Sequence, residues 1–299
     1  MINKTQISEL FPTAIFDEPM KAHTTFRIGG NADCFISARS IDEVKNVLAY
    51  AKENDIPLLV MGNGSNMLIS DKGIRGIVLR VSKEMNECTI DGCTVTAQAG
   101  ILLSSLASKI QKAGLSGFEP LSGIPGTLGG GIYMNAGAYD GELKNLIKDV
   151  TFITRDGKIF TLPVHELDFG YRHSIFEDNG AVILSATLVL EKGNPDEIKA
   201  RMSDYTQRRN DKQPINMPSA GSAFKRPQGY FAGKLIQDSN LKGYSIGGAQ
   251  ISEKHSGFIV NTGDATASDV LSLIAHVQDT VMKNFGVHLE PEIRLIGEK

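Results

Sequence analysis

Two glycine-rich stretches hold the residues best suited to chemistry. The first is Gly62-Asn63-Gly64-Ser65-Asn66. The second is Gly123-Ile124-Pro125-Gly126-Thr127-Leu128-Gly129-Gly130-Gly131, followed by Tyr133-Met134-Asn135-Ala136-Gly137-Ala138. Glycine loses more backbone freedom on folding than any other residue. Such density implies backbone amides brought close to something, and a phosphate is the usual candidate. Neither stretch is a standard phosphate loop. The first lacks the third glycine of G-x-G-x-x-G, and no G-K-[ST] follows either one. The pattern points to a nucleotide diphosphate held between two separate loops, outside a Rossmann or P-loop setting.

The elements around the first loop form a β-α-β pattern. Ser40-Ile41-Asp42-Glu43 has the form of a capping box. Val44, Val47, Leu48 and Ala51 then predict a short amphipathic helix ending near Asn54. Ile56 to Met61 is an apolar run of strand length that leads straight into the loop, and Ile77-Val78-Leu79 reads as a second buried strand. The loop therefore falls at a strand end, where ligands gather in α/β sheets.

The second loop follows a predicted helix, Leu102 to Ala113, closed by Gly114. Hairpins are expected at Cys88 to Val95, with an Asp-Gly turn, and at Val150 to Leu162, turned at Asp156-Gly157. Ala181 to Leu184 and Ala186 to Leu190 read as further strands. Gly193-Asn194-Pro195 looks like a domain boundary, with Asn194 capping a helix that ends in the basic stretch Arg208-Arg209-Asn210-Asp211-Lys212 before Pro214. A helix around Leu235 and Ile236 and a long one from about Ser268 to Phe285, stopped by Gly286, follow. The final strand, Val287 to Ile296, alternates: Val287, Leu289, Ile293 and Leu295 on one side, His288, Glu290, Glu292 and Arg294 on the other.

Composition narrows the function classes. A net charge of −3 gives no reason to expect nucleic acid or an anionic membrane surface. No apolar run approaches the roughly 20 residues needed to span a bilayer. The opening Met1-Ile2-Asn3-Lys4-Thr5 has no signal-peptide core. Cys34, Cys88 and Cys93 show no C-x-x-C pattern, so free thiols and a cytoplasmic location are expected. His23, His165, His173, His255, His276 and His288 lack metal-ligand spacing, so no catalytic metal is expected.

Four more segments complete the pattern: Thr25-Phe26-Arg27-Ile28-Gly29-Gly30, Tyr171-Arg172-His173-Ser174-Ile175-Phe176, Ala220-Gly221-Ser222-Ala223-Phe224-Lys225 and Leu289-Glu290-Pro291-Glu292-Ile293-Arg294. With the two glycine loops they resemble the UDP-N-acetylenolpyruvoylglucosamine reductase (MurB) family, flavoenzymes of bacterial cell-wall synthesis. The resemblance runs from about residue 20 to residue 297.

The resemblance implies an α+β fold, with an FAD-binding domain of the vanillyl-alcohol-oxidase type and a C-terminal α+β substrate domain. Residues 1–80 and 81–194 would form two FAD-binding subdomains. Residues 195–299 would bind substrate, the final strand returning to the active site. Gly62, Asn63, Gly64, Ser65 and Asn66 from the first loop, with Gly126, Thr127, Gly129, Gly130, Asn135, Gly137 and Ala138 from the second, would hold non-covalent FAD. NADPH reduces the flavin and leaves, and UDP-N-acetylglucosamine enolpyruvate enters the same cleft. A hydride then passes to C3 of the enolpyruvyl group and a proton is added at C2, giving UDP-N-acetylmuramate for peptidoglycan synthesis.

Carried over by motif, Ser222 is the proton donor, and Arg172 and Glu292 sit at the enolpyruvyl group. The residue types suit these roles. A guanidinium can orient a carboxylate through two parallel hydrogen bonds and stabilise charge developing beside it. A hydroxyl delivers a proton without adding negative charge. A carboxyl helps if it is protonated or orients another donor. Tyr171, Lys212, Lys225 and Gln250 are further candidates for the substrate pocket.

The chain departs from the family pattern at Arg226, where asparagine is more usual, and in lacking a tyrosine-bearing insertion before the last domain. The latter matches the family's shorter variant. Taken outside the resemblance, Arg172 reads as a surface salt-bridge residue, Ser222 as a loop serine and Glu292 as part of a solvated strand face. Two other functions stay open on sequence alone. One is an FAD-dependent oxidase of the same superfamily. No histidine lies between His23 and His165 to attach flavin near the first loop, so its flavin would be free. The other is a nucleotide-binding module without turnover, which would need the loops but not Arg172, Ser222 and Glu292 together.

Overall fold

The computed structural model describes residues 2–298. They form two compact units. The first gathers the chain up to Ile15, then Cys34–Asn63 and Gly76–Arg208. The second gathers Phe16–Asp33, Gly64–Arg75 and the chain from Arg209 onward. The first glycine loop is thus shared, Gly62 and Asn63 belonging to the first unit and Gly64, Ser65 and Asn66 to the second.

In the first unit the expected β-α-β pattern forms. The helix Ile41–Glu53 starts because the Ser40 hydroxyl accepts from the Glu43 amide, and it ends at Asn54. It buries Val44, Val47, Leu48 and Ala51, the apolar positions of its 3.6-residue period. The strand Leu58–Met61 lies parallel to Ile74–Val81, with Leu59 opposite Val78 and Val60 opposite Leu79. The first loop leaves the C-terminal end of Leu58–Met61.

A second sheet of this unit is antiparallel, in the order Ile159–Pro163, Ile147–Ile153, Val182–Val189, Thr94–Gln98, Cys88–Asp91. In the first hairpin Asp91 pairs with Thr94, so the tight turn is Gly92-Cys93 rather than Asp91-Gly92. The two strands expected around Ser185 are one. Ser185 pairs with Thr151 on one side and Gln98 on the other, and that double ladder carries the strand through a small polar residue. The helix Leu103–Lys112 buries Leu103, Leu106 and Ile110. The short helix Leu128–Tyr133, which holds the second glycine loop, begins at Thr127.

The helix Pro195–Lys212 starts where Asn194 Oδ1 accepts from the amides of Asp196 (2.9 Å) and Glu197 (3.4 Å). It carries Arg201, which pairs with the buried Glu119 at 2.7 Å within the first unit.

The second unit is built on an antiparallel sheet in the order Ser219–Ser222, Phe258–Asn261, Ala249–Ile251, Ser245–Ile246. The helix Ala267–Phe285 has a complete capping box, Thr266 with Asp269, and stops at the left-handed Gly286. It packs Val270, Leu273, Val277 and Val281 with Phe26, Ile236 and Leu289 in one core.

The last segment differs from the expected alternating strand. Only Arg294–Ile296 is a strand, parallel to Met67–Ile69. Leu289 and Ile293 are buried, but Leu295 is exposed. Pro291 has no amide to offer a ladder. The chain before Arg294 instead makes single bonds to the Ala223–Lys225 segment.

Among the described residues no helix is long and apolar enough to cross a membrane, and no group of three or more His, Cys, Asp or Glu could hold a metal ion. Cys34, Cys88 and Cys93 are free thiols.

Candidate active site

In the first unit the two glycine loops meet. The Asn63 side-chain amide donates to the Pro125 carbonyl at 2.7 Å. At Gly62, an added Cβ would stand 2.3 Å from Thr127 Oγ1, so glycine is what lets the first loop lie this close to the second. The amides of Leu128, Gly129 and Gly130 are engaged inside the protein. They donate to Ile101 O (2.8 Å), Ala99 O (2.8 Å) and Thr127 Oγ1 (3.2 Å). These three amides are therefore spent on the protein's own acceptors. The donor set suits a dinucleotide diphosphate. Asn63 and Thr127 offer polar hydrogens, and no carboxylate stands from Gly62 to Asn66 or from Gly123 to Gly131 to oppose an anion.

Asn135 faces inward. It is buried with φ +40°, and its amide donates to Gly170 O (2.9 Å) and Glu142 Oε2 (3.1 Å) while its oxygen accepts from the Lys144 amide (3.1 Å). It knots the second loop to the turn bearing Tyr171 and Arg172. Ser174, fully buried, adds a second tie through its hydroxyl to Tyr133 O at 2.8 Å. Glu142 is held below the usual carboxylate range, chiefly by hydrogen bonding to Lys144, with Asn135 and the charges of Lys144 and Arg172 adding.

Arg172 sits on that turn at φ +57°, a conformation rare for a long side chain and found where function sustains strain. Its Nη2 lies 3.5 Å from Gly137 O, against the second loop, and its guanidinium stands 5.4 Å from the Tyr171 ring centroid. Tyr171 is exposed.

The second unit gathers the remaining segments. Thr25 donates its amide to Gly64 O (3.3 Å) and its hydroxyl to Ser219 O (2.7 Å). Asn66 bridges to the last segment, donating from Nδ2 to Glu292 O (3.2 Å) and accepting from the Arg294 amide (3.1 Å). The Glu292 amide donates to Ala223 O at 2.9 Å, so Glu292 is stitched to the residue beside Ser222. Ser222 ends its strand after Gly221, whose φ of +80° marks a register shift; nothing lies within 4 Å of an added Cβ there, so the surface beside Ser222 is open.

The substrate candidates are more scattered. Lys225 Nζ is 2.5 Å from Glu290 Oε1. Gln250 lines a cavity of about 410 Å3 with Asn210, Asn216, Ser252 and Lys254, and donates to Gly243 O at 3.2 Å. Lys212 is exposed at the end of its helix and is not part of that lining. His173, weighed from sequence only as a metal ligand, lies among Asp168, Glu177 and Asp178. Carboxylates five residues before it and four and five after it were the legible signal.

The description "FAD binding domain" matches residues 32–163, and "UDP-N-acetylenolpyruvoylglucosamine reductase, C-terminal domain" matches residues 213–296. The UDP-N-acetylenolpyruvoylglucosamine reductase of Alkaliphilus oremlandii is 52% identical over 285 residues, 95% of this chain and 94% of that protein. That of Clostridioides difficile is 52% identical over 282 residues, covering 94% and 93%. The crystal structure of the Thermus caldophilus reductase (MurB) superposes with a TM-score of 0.81 at 35% identity, covering 94% of this chain and 97% of that one. The fold is therefore the expected α+β arrangement of an FAD-binding domain and a C-terminal reductase domain. The FAD-binding match and the reductase relatives together make this a flavoprotein oxidoreductase. With half its residues identical to curated reductases across nearly its whole length, this chain belongs to the UDP-N-acetylenolpyruvoylglucosamine reductase family.

Proposed function

We propose that this chain reduces UDP-N-acetylglucosamine enolpyruvate to UDP-N-acetylmuramate with NADPH, through non-covalent FAD, in peptidoglycan precursor synthesis. The observation that carries the reading is Arg172. An arginine in a strained left-handed conformation lies 3.5 Å from Gly137 of the second dinucleotide loop, so a carboxylate-binding fork and the cofactor loop share one place.

Bound FAD supplies the chemistry of accepting two electrons from NADPH and passing them to the enolpyruvyl double bond. The chain's own residues do the rest. Arg172 grips the enolpyruvyl carboxylate through two parallel hydrogen bonds and balances the negative charge that hydride addition at C3 places on the carbon beside it. Ser222 delivers a proton from its hydroxyl to C2. Glu292, stitched to Ala223, orients the groups on that side. Tyr171, Lys212, Lys225 and Gln250 contact the sugar nucleotide. Residues 1–80 and 81–194 hold the cofactor, and 195–299 the substrate. The free cysteines suit a reducing cytoplasm, where this reaction is placed.

The test is an anaerobic titration. Purified protein should be yellow, NADPH should bleach it, and the enolpyruvyl sugar nucleotide should restore the colour. Fast recolouring by air alone, with none by the sugar nucleotide, would make it an oxidase. Protein that stays colourless after incubation with FAD would be a binding module.

A further inference from the structure

The residue after Arg172 is a histidine whose two ring nitrogens both face carboxylates. Nδ1 of His173 is 3.2 Å from Glu177 Oε2, and Nε2 is 3.3 Å from Asp168 Oδ2. Asp178 Oδ2 stands 3.9 Å from Nε2. Neutral imidazole has one donor and one acceptor. In that form one carboxylate would always face a lone pair. Only the imidazolium satisfies both.

These groups lie on opposite sides of one turn. Asp168 opens it with φ +46°, and Arg172 closes it with φ +57°. Gly170 donates its amide to His173 O at 3.1 Å, and Ile175 donates to Leu167 O at 2.9 Å, closing the neck. Glu177 and Asp178 belong to the short helix Phe176–Asn179 that follows. The ring therefore joins the first residue of the turn to the helix beyond it. Asn135 and Ser174 tie the turn to the second loop through Gly170 and Tyr133, but neither of those bonds reaches Asp168 or the Phe176–Asn179 helix. The His173 ring adds an ionic bridge from Asp168 to that helix.

We propose that His173, as imidazolium, is a positioning residue: it clamps Asp168 to the Phe176–Asn179 helix and so keeps the Tyr171-Arg172 turn in the shape that presents the guanidinium to the substrate carboxylate. The substrate effect rests on the reading of Arg172 given above. The clamp is a property of this chain's residue between Arg172 and Ser174. It couples substrate binding to pH. Hydrogen bonding to Glu177, then to Asp168, with the charges of Asp168 and Asp178 adding, outweighs slight burial and raises the His173 pKa above the ordinary imidazole value. A raised folded-state pKa means that the clamp is complete below the ordinary value and is lost as pH rises through the raised one.

The experiment uses the FAD-loaded protein and two readouts. KM and kcat for UDP-N-acetylglucosamine enolpyruvate are measured from about pH 6 to about pH 9 in the native chain, H173Q and H173K, and amide hydrogen exchange of residues 168–174, corrected at each pH for the intrinsic base-catalysed rate, is followed at the same pH values. In the native chain KM should rise about twofold to fivefold with pH while kcat changes less, and the corrected exchange in the turn should quicken in step. H173Q should show the high KM and fast exchange throughout, without pH dependence in this range. H173K, which keeps a cation, should restore part of the low KM and lose the native pH dependence. Native exchange in H173Q overturns the clamp, whatever Arg172 does. Faster exchange with an unchanged KM overturns its part in substrate binding. R172A separates the two readings: if it keeps native KM and turnover, the role of Arg172 fails, and the exchange readout alone still decides the clamp.

Discussion

Asn63 and Pro125, 62 positions apart in the chain, are joined by a 2.7 Å hydrogen bond from side-chain amide to carbonyl oxygen. That bond, with the close approach of Gly62 to Thr127, turns two separate glycine loops into one rim. Losing it should loosen the cofactor site before it unfolds the protein. N63A is expected to weaken FAD binding about threefold to tenfold, the equivalent of one ordinary hydrogen bond. G62A should be worse, because its methyl group would meet Thr127 Oγ1 at 2.3 Å and push the loops apart. Flavin fluorescence released on ultrafiltration measures both. Full flavin retention in G62A would show that the loops need not touch.

Arg172 should not be replaceable by lysine. A point ammonium lacks the planar fork that grips a carboxylate at two points. R172K is expected to lower kcat/KM for the enolpyruvyl sugar nucleotide by about a hundredfold or more, the usual scale for losing a fixed charge-stabilising donor. NADPH reduction of the flavin should change little. Steady-state kinetics with near-native turnover in R172K would remove the two-point grip.

Ser222→Ala should separate the two half-reactions. Proton delivery to C2 comes after the flavin has been reduced, so reduction by NADPH should stay nearly native while reoxidation by the sugar nucleotide slows by about a hundredfold or more. Stopped-flow absorbance follows each step. Equal slowing of both would assign Ser222 to the cofactor site instead.

Glu119 gives a prediction about stability rather than catalysis. Its side chain is buried. It accepts from Arg201 Nη2 (2.7 Å) and Nε (3.1 Å), from the Gly117 amide (2.6 Å) and from the Ser116 hydroxyl (3.0 Å). Burial pushes its carboxyl up, but these hydrogen bonds, Arg201 first, outweigh that and hold it below the usual range. A depressed folded-state pKa contributes stability that is present above the ordinary carboxylate value and lost as pH falls through the lower one. E119Q should therefore cost about 1.5–3 kcal/mol near neutral pH. The gap from the native chain should close in acid. Thermal unfolding of both proteins against pH checks this, and a gap that widens in acid would contradict it.

Much of the scaffold was legible in the chain. Ser40 with Glu43 announced one helix and Gly286 the end of another, because a cap and its partner lie within one turn of each other. The strand Leu58–Met61 and its glycine loop could be read because both are local in sequence. Less legible was what neighbouring strands decide. Ser185 stays in its strand only because Thr151 and Gln98 pair with it from both sides. The last segment alternates in composition yet fails as a long strand, since Pro291 interrupts the ladder.

The candidate site divides the same way. Residue type and order alone determined which chemistry was on offer: glycine loops without opposing acids, an arginine for a carboxylate, a serine for a proton. Tertiary structure decided what those residues face. Asn135, read as a cofactor contact, spends its hydrogen bonds tying the second loop to the Arg172 turn. Glu292 reaches the neighbour of Ser222 only through a bond across about seventy residues of chain. Arg172 takes a left-handed backbone that nothing in its own side chain favours. Capping and periodicity act within a few residues, so a linear chain displays them. A bond between distant segments exists only once the whole fold has set their register, and no spacing in the sequence records it.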